Sequence, residues 1–170
     1  MTGVRDRIHA HLRTHPGVHV SAVVRELDLA RGQVQHHLDA LVGEDAVVVE
    51  RFRGRTHYYP RGYDGRARRR IAVLRRETAR DILVTLVERG PTRPGAVAET
   101  LSIARSTLEY HLEALAAADL VAKRRDDAGR VTLVVTAPES ALELVAATDP
   151  RVTDRVLDRF TRLVDAVLEG

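Results

Sequence analysis

Two stretches of the chain share one pattern of apolar and polar positions. Residues 27–41 align without a gap to residues 101–115, which begin 74 positions later (101 against 27). In both, three apolar residues follow the spacing i, i+4, i+7, which places them on one face of a helix. These residues are Val34, Leu38 and Leu41 in the first copy and Leu108, Leu112 and Leu115 in the second. A period this long excludes a solenoid and predicts two copies of one small domain.

The residues around each copy predict the elements of a winged helix. For the first copy, the pattern predicts helices over 3–14, 20–27 and 31–42, then a β-hairpin over 46–60 with Gly54 at its tip. For the second copy, it predicts helices over 79–86, 94–101 and 105–117 and a hairpin over 120–136. The predicted fold class is mainly α with small β-hairpin wings (α+β), built as two tandem winged helix-turn-helix domains plus C-terminal helices.

These elements divide the chain into four segments. They are an N-terminal winged helix-turn-helix domain (1–61), a basic linker helix (62–77), a C-terminal winged helix-turn-helix domain (78–137) and a C-terminal helical tail (138–170). The pattern leaves open whether the linker helix breaks at residues 77–78 or continues to residue 89. The tail has an apolar stripe with spacings of 4, 4, 3 and 4 residues, namely Val152, Val156, Phe160, Leu163 and Val167. Such a stripe predicts helix packing, either against the chain itself or across a homodimer.

The polar faces of the two central helices are the candidate DNA-reading surfaces. In the first copy this face has Arg31, Gln33, Gln35 and His36, and in the second Arg105, Ser106, Thr107 and Tyr110. Arg, Gln, Ser and Thr side chains can hydrogen-bond base edges or phosphates when a helix enters the major groove. Both helices are therefore interpreted as recognition helices.

The first hairpin adds a basic wing, with Arg51, Arg53, Arg55 and His57. Residues 51, 53 and 55 alternate and share one face up to the point where the hairpin bends. Such a hairpin can contact a phosphate backbone or a minor groove. The alternative is an exposed edge whose charges prevent aggregation. The second wing has Asp126 and Asp127 at its tip, which oppose phosphate, so the first copy is predicted to be the better DNA reader.

Composition adds an uneven charge and excludes cysteine chemistry. The net charge is +3 and there is no cysteine. Residues 61–80 contain 8 basic and 2 acidic side chains, among them Arg66 and Arg69. Contact with DNA phosphates or an acidic partner is predicted for this segment, against the alternative of a solvated helix with paired charges. There is no signal peptide and no apolar run of about 18 residues, which predicts an intracellular protein.

The eight histidines raise the hypothesis of a metal site. His11 and His15 have the i, i+4 spacing that can chelate an ion, but the sequence shows no clear third ligand. We therefore expect no metal and no cofactor. His37 and His111 occupy equivalent positions beside inward leucines, which favours a structural role. No nucleophile with a base and no paired carboxylates are apparent, so we do not expect an enzyme.

Four motifs resemble archaeal, in particular haloarchaeal, tandem winged helix-turn-helix transcription regulators of the ArsR- and MarR-like superfamily. They lie at residues 25–38, 54–60, 75–82 and 103–112. The resemblance implies a sequence-specific DNA-binding regulator that reads the major groove with helix 31–42 and contacts the backbone or minor groove with wing 51–57. It implies that Arg31, Gly32, Gln33, Gln35 and His36 contact bases or backbone, with Arg53 and Arg55 on the wing.

The expected partners are double-stranded DNA and a second copy of the chain, in the cytoplasm in association with the nucleoid and without membrane contact. The alternative is a winged-helix scaffold that binds protein partners in a transcription or nucleoid complex.

Overall fold

The structure is a computed structural model that describes residues 3–152. It divides into two compact units, Met1–Arg75 (unit 1) and Arg76–Gly170 (unit 2). Unit 1 contains α1 (Val4–Thr14), α2 (Val20–Leu27), α3 (Arg31–Gly43), β1 (Val47–Phe52), β2 (Arg55–Pro60) and α4 (Gly65–Leu74). Unit 2 contains α5 (Glu77–Arg89), α6 (Pro94–Leu101), α7 (Arg105–Ala117), β3 (Val121–Arg125), β4 (Val131–Val135) and α8 (Pro138–Thr148). The predicted winged-helix fold class is confirmed.

An aliphatic core holds the helices of unit 1 together. Its fully buried side chains include Ile8 and Leu12 of α1, Val23 of α2, and Val34 and Leu38 of α3. Leu41 completes the apolar face of α3 that its spacing predicted. Because this face is directed into the core, the opposite face of α3 is presented to solvent.

Each unit has a two-stranded antiparallel hairpin with a third backbone segment at its edge. In unit 1, the Val18 carbonyl accepts the Tyr58 amide at 3.1 Å, and the Tyr58 carbonyl accepts the Gly17 amide at 2.7 Å. In unit 2, Thr92 and Leu133 exchange equivalent hydrogen bonds of 3.1 and 2.8 Å. The segment between the first two helices of each unit is thereby fastened to its wing.

The wing of unit 1 turns through two residues, Arg53 and Gly54, which have φ angles of 46° and 80°. Positive φ at both central positions is typical of a tight hairpin turn, and glycine adopts it without steric cost. Beyond the turn, Arg55 pairs with Phe52 and Thr56 pairs with Arg51. Paired residues share a face and neighbours alternate, so Arg51 and Arg55 lie on opposite faces of the hairpin. The predicted single basic face therefore ends at the turn.

The helix-turn-helix turns of the two units have the same backbone. Asp28 and Ser102, 74 positions apart, end α2 and α6 in the left-handed conformation, with φ angles of 52° and 53°. The following amides, Leu29 and Ile103, donate to Val24 and Ala98 at 3.2 and 3.0 Å. Left-handed residues commonly end helices in this way. The sequence repeat is thus also a repeat of local structure.

The helix expected as a separate linker is part of unit 1. Asp64 caps α4 by accepting the Ala67 amide at 2.7 Å, and the last turn of α4, residues 71–74, is buried. Arg75 then donates to the Pro16 carbonyl through Nε at 2.9 Å and Nη2 at 2.7 Å. A break follows before α5 begins, so α4 and α5 are two helices.

The C-terminal helix α8 belongs to unit 2. Its C-cap residue, Asp149, lies 3.2 Å from Nη2 of Arg80 on α5, and both side chains are mostly buried. Of the predicted apolar stripe, Val152 is half-buried, whereas Val156, Phe160, Leu163 and Val167 lie outside the described residues. No helix within residues 3–152 is both long and apolar enough to cross a membrane.

Candidate nucleic-acid interface

The first turn of α3 presents its polar side chains to solvent. Arg31, Gly32, Gln33 and His36 are exposed. Their contact with DNA stays a prediction. Gln35 differs, because it is half-buried and donates to Asp39 Oδ1 at 2.8 Å and to the Tyr58 hydroxyl at 3.4 Å. Gln35 therefore connects α3 to the wing, while the four exposed residues are available to a ligand.

An open groove of about 560 Å³ lies where α2, α3 and β2 meet. It is lined by His19, Val20, Ser21, Arg31, Gln35, Arg55, Thr56 and Tyr58. The lining contains two guanidinium groups and no carboxylate. Val20 and Ser21 form the first turn of α2, where the helix dipole adds partial positive charge. The groove is chemically suited to an anion such as a phosphate.

Sequence reasoning missed His19, Ser21 and Thr56 in this lining. His19 Nδ1 lies 3.0 Å from the Thr56 carbonyl oxygen, so this residue holds the start of α2 against the wing. The only available signal was their proximity to the start of α2 and to the predicted hairpin tip. Neither position identifies a groove before the chain is folded.

The predicted wing residues fall into three environments. Arg51 and Arg55 are exposed. Arg53 is half-buried, with its guanidinium carbon 5.9 Å from the centre of the Phe52 ring. His57 does not face solvent: its side chain is 2% exposed, and Nδ1 lies 2.8 Å from the Gly17 carbonyl oxygen. The DNA-contact role predicted for His57 is therefore corrected to a structural one.

The environment of His57 also determines its charge. Burial is the main cause that lowers its pKa to about 4, and the nearby charges of His19 and Arg55 act in the same direction. A carbonyl oxygen only accepts hydrogen bonds, so Nδ1 must carry the proton that is donated to Gly17. His57 is accordingly neutral near pH 7 and contributes no positive charge to the wing.

The arginines of α4 divide into paired and exposed groups. Arg68 is half-buried, with Nε 2.6 Å from the Glu50 carboxylate and Nη1 donating to the Tyr63 carbonyl at 2.6 Å. Arg66 and Arg69, which the sequence predicted as contacts, are both exposed. The exposed arginines of unit 1 that form no ion pair within residues 3–152 include Arg31, Arg51, Arg55 and Arg69. Unit 1 thus has uncompensated positive charge around its helix-turn-helix.

The corresponding helix of unit 2 has a different surface. Arg105 and Ser106 are exposed, Thr107 is half-buried, and Tyr110 is 46% exposed, with its ring 6.0 Å from the Arg76 guanidinium carbon. A groove beside α7 is lined by Ser106, Glu109, Tyr110, Leu112, Glu113, Ala116 and Lys123. Its one cation, Lys123, lies 2.6 Å from the Glu109 carboxylate. This groove contains two carboxylates and one ammonium group, so its net charge is negative.

The tip of the second wing neutralises its own charge. The Asp126 carboxylate accepts the Ala128 and Arg130 amides at 3.0 and 2.9 Å and lies 2.6 Å from the Arg130 guanidinium. These bonds, those from Arg130 first, lower the pKa of Asp126. Because Arg130 pairs with Asp126, this carboxylate adds no net charge at the tip. That unit 1 is the better DNA reader stays a prediction.

Two family models match the chain in succession. A model described as an N-terminal HTH domain matches residues 2–71, and one described as a helix-turn-helix domain matches residues 74–124. The chain is a tandem helix-turn-helix protein. The two matches fall on the two copies of the repeat, and they confirm the predicted resemblance to tandem winged helix-turn-helix proteins.

No curated protein is significantly similar to the chain in sequence. Among solved structures, one described as disulfide-formed AbfR is 19% identical, with 56% of this chain and 73% of that chain covered and a TM-score of 0.36. ScpB from Mycobacterium tuberculosis is 20% identical, with 84% of this chain and 97% of that chain covered and a TM-score of 0.33. Scores this low establish no common arrangement of the whole chains.

Proposed function

We propose that the chain is a sequence-specific DNA-binding transcription regulator. In this proposal, α3 enters the major groove and the β1–β2 wing contacts the backbone or the minor groove. The observation that carries the proposal is the groove beside α3. It combines the guanidinium groups of Arg31 and Arg55, which form no ion pair within residues 3–152, with the first turn of α2, and its described lining has no carboxylate.

Charge and exposure suggest a division of labour among these residues. Arg31 on α3 and Arg55 on β2 both line the groove and are suited to phosphates, which fix position without reading sequence. Gln33 is exposed and forms no hydrogen bond within the described part of the chain. A glutamine amide can bond an adenine edge in a bidentate manner. We therefore assign base reading to Gln33 and backbone binding to the arginines.

The proposed partner is double-stranded DNA, bound in the cytoplasm by a homodimer that reads paired half-sites. Dimeric helix-turn-helix proteins place two recognition helices about one DNA turn apart. The apolar stripe from Val152 to Val167 would supply the contact between the two copies.

The first test is selection of genomic DNA fragments by the protein at several salt concentrations. Nonspecific phosphate contacts weaken as salt rises, so a sequence motif that stays enriched identifies specific binding. Retention without a motif, lost steeply with salt, would contradict sequence-specific regulation. Absence of retention at any salt concentration would contradict DNA binding altogether.

The second test separates the proposed roles on the selected site. Gln33→Ala is expected to lose about 1–3 kcal/mol of discrimination at one base position. Arg55→Ala is expected to weaken binding to all sequences and to reduce the salt slope by about 1. Arg61→Ala is the matched control, because this exposed arginine already pairs with Asp45 at 2.6 Å. Equal effects of Gln33→Ala and Arg55→Ala would refute the division of labour.

The groove of unit 2 supports a second candidate function, that of a scaffold for protein partners. Its negative charge disfavours phosphate, and the exposed Tyr110 ring offers an apolar surface next to it. Exposed aromatic side chains are enriched at the centres of protein interfaces. If Tyr110→Ala leaves DNA affinity unchanged but abolishes binding of a basic protein partner, this second role is supported. Loss of DNA affinity in that variant would contradict it.

A further inference from the structure

Two histidines of unit 1 meet a glutamate from the next helix. One ligand atom from each of His11, His15 and Glu26 lies within 4.8 Å of the others. Nε2 of His11 is 3.1 Å from the Glu26 carboxylate, and the two imidazole rings stack at 4.3 Å with 14° between their planes. The spacing of His11 and His15 was visible in the sequence. The third residue, Glu26, comes from α2 and is brought near only by folding.

The buried nitrogen of His11 needs a partner. Its side chain is 8% exposed, and no described residue hydrogen-bonds to Nε2, although the Glu26 carboxylate faces it. Buried polar atoms nearly always have a partner, so an orphan calls for an explanation. A cation between the imidazole and the carboxylate would satisfy both groups.

The ring of His15 is held by two contacts at Nδ1. Its Nδ1 lies 2.8 Å from the Thr14 hydroxyl and 3.2 Å from the His11 carbonyl oxygen. A proton on Nδ1 satisfies the carbonyl and leaves a lone pair on Nε2. Metal-bound histidines usually donate their other ring N–H to a carbonyl, a carboxylate or water, which fixes the ring.

The distances also fit an ion. Tetrahedral Zn²⁺ with bonds of about 2.0–2.2 Å places neighbouring ligand atoms about 3.3 Å apart. The His11–Glu26 pair, at 3.1 Å, is already close to this separation. Since no pair is more than 4.8 Å apart, the widest pair must close by at most about 1.5 Å.

Two guanidinium groups oppose a cation here. Nη2 of Arg25 lies 3.5 Å from the second Glu26 oxygen, and the charge of Arg75 acts on His11. Arg25 is exposed, and its pair with Glu26 is long, so the carboxylate can exchange it for an ion. Arg75 is held at the Pro16 carbonyl. Because these two guanidinium groups repel cations, they disfavour hard cations, which are bound by charge alone. They favour ions that bind imidazole strongly.

We propose that His11, His15 and Glu26 bind one divalent transition-metal ion of the Zn²⁺ class, with water as the fourth ligand. Two imidazoles and one carboxylate suit this class, whereas Mg²⁺ and Ca²⁺ prefer sites made of oxygen. The ion fastens the end of α1 to α2, the first helix of the helix-turn-helix. Since it binds only the folded arrangement, it stabilises unit 1 by mass action.

The test uses the full chain, freed of metal by a chelator and titrated with Co²⁺ and then Zn²⁺. One equivalent of Co²⁺ is expected to produce the visible absorption bands of a four-coordinate site, and Zn²⁺ is expected to displace it and raise the Tm. Glu26→Gln and His15→Gln should each weaken binding at least tenfold and remove the Tm increase. His11 is left unchanged because it is buried, whereas Glu26 is exposed and its substitution leaves the core intact.

The matched control is His36→Gln, because His36 is exposed and its ring lies 5.4 Å from that of His37. This variant should bind metal as the unaltered chain does. Binding that is lost in His36→Gln but kept in Glu26→Gln would assign the metal to surface histidines and overturn the proposal. Absence of four-coordinate Co²⁺ bands in the unaltered chain would also overturn it.

Discussion

The buried His57 makes the stability of unit 1 depend on pH. Burial lowers its pKa to about 4, whereas an unfolded histidine has its ordinary value of 6.5. Above pH 6.5 the ring is neutral in both states, and its hydrogen bond to Gly17 is kept. Below pH 6.5 the unfolded state takes up the proton first, so the free energy of unfolding falls as pH falls. The loss levels off below about pH 4, where both states are protonated.

The size of this effect follows from the difference between the two pKa values. A difference of about 2.5 units corresponds to about 3 kcal/mol when the full range is crossed. Between pH 7.5 and 4.5 the expected loss is about 2.5 kcal/mol. Domains of this size have unfolding free energies of about 5–15 kcal/mol, so the loss is measurable.

The assay is urea unfolding at several pH values, followed by tyrosine fluorescence. Three of the four tyrosines, Tyr58, Tyr59 and Tyr63, lie in unit 1, so the signal reports mainly this unit. His57→Gln retains an amide donor for Gly17 and removes the titration. It should be less stable than the unaltered chain at pH 7.5, and the gap should close by about 2.5 kcal/mol at pH 4.5.

His11, whose pKa is also lowered, is present in both the unaltered chain and His57→Gln. Its contribution to the pH dependence therefore cancels when the two are compared. His36→Gln, with an exposed histidine replaced, should show the same pH dependence as the unaltered chain. If the gap between His57→Gln and the unaltered chain were constant from pH 7.5 to 4.5, burial would not control this ring. The NMR signal of His57 titrating near pH 6.5 would refute the reasoning directly.

Three further predictions concern backbone strain, capping and assembly. Gly17→Ala should lower the urea stability of unit 1 by about 2 kcal/mol or more, since φ is 77° and the added Cβ would meet Ile71 Cγ2 at 2.7 Å; unchanged stability would contradict this. Asp64→Ala should cost about 1 kcal/mol by removing the cap on Ala67, and Asp64→Asn should restore most of it; equal losses would exclude a capping role. A chain ending at Arg151 should sediment as a monomer and the full chain as a dimer; a truncated dimer would place the interface elsewhere.

Local patterns were enough to predict the helices of unit 1. Helix α3 was expected over 31–42 and is observed as Arg31–Gly43. Its apolar period is regular, and a turn precedes it. Helix boundaries are set by interactions between residues a few positions apart, and such interactions are visible in a sequence.

Contacts between distant positions were not predictable in this way. His57 alternates with basic residues along the wing, so it was predicted to lie on their exposed surface. In the fold it is hydrogen-bonded to the carbonyl of Gly17, 40 positions earlier in the chain. Glu26 was not recognised as a neighbour of His11 for the same reason. A side chain's neighbours across elements depend on the packing of those elements, which no local period describes.

The two units share a helix-turn-helix backbone but differ in surface charge. The features that determine the fold are therefore not those that determine the binding partner. Asp45 and Asp119 take the same left-handed conformation at a distance of 74 residues, as the helix-turn-helix turns do, so the two units share this backbone. The backbone conformation at these residues is determined by apolar packing and by helix termination. Neither depends on surface charge. The surfaces differ: the groove beside α3 contains two guanidinium groups, whereas that beside α7 contains two carboxylates. A common helix-turn-helix backbone therefore does not imply a common affinity for DNA, and the charge beside each recognition helix is the better guide to its ligand.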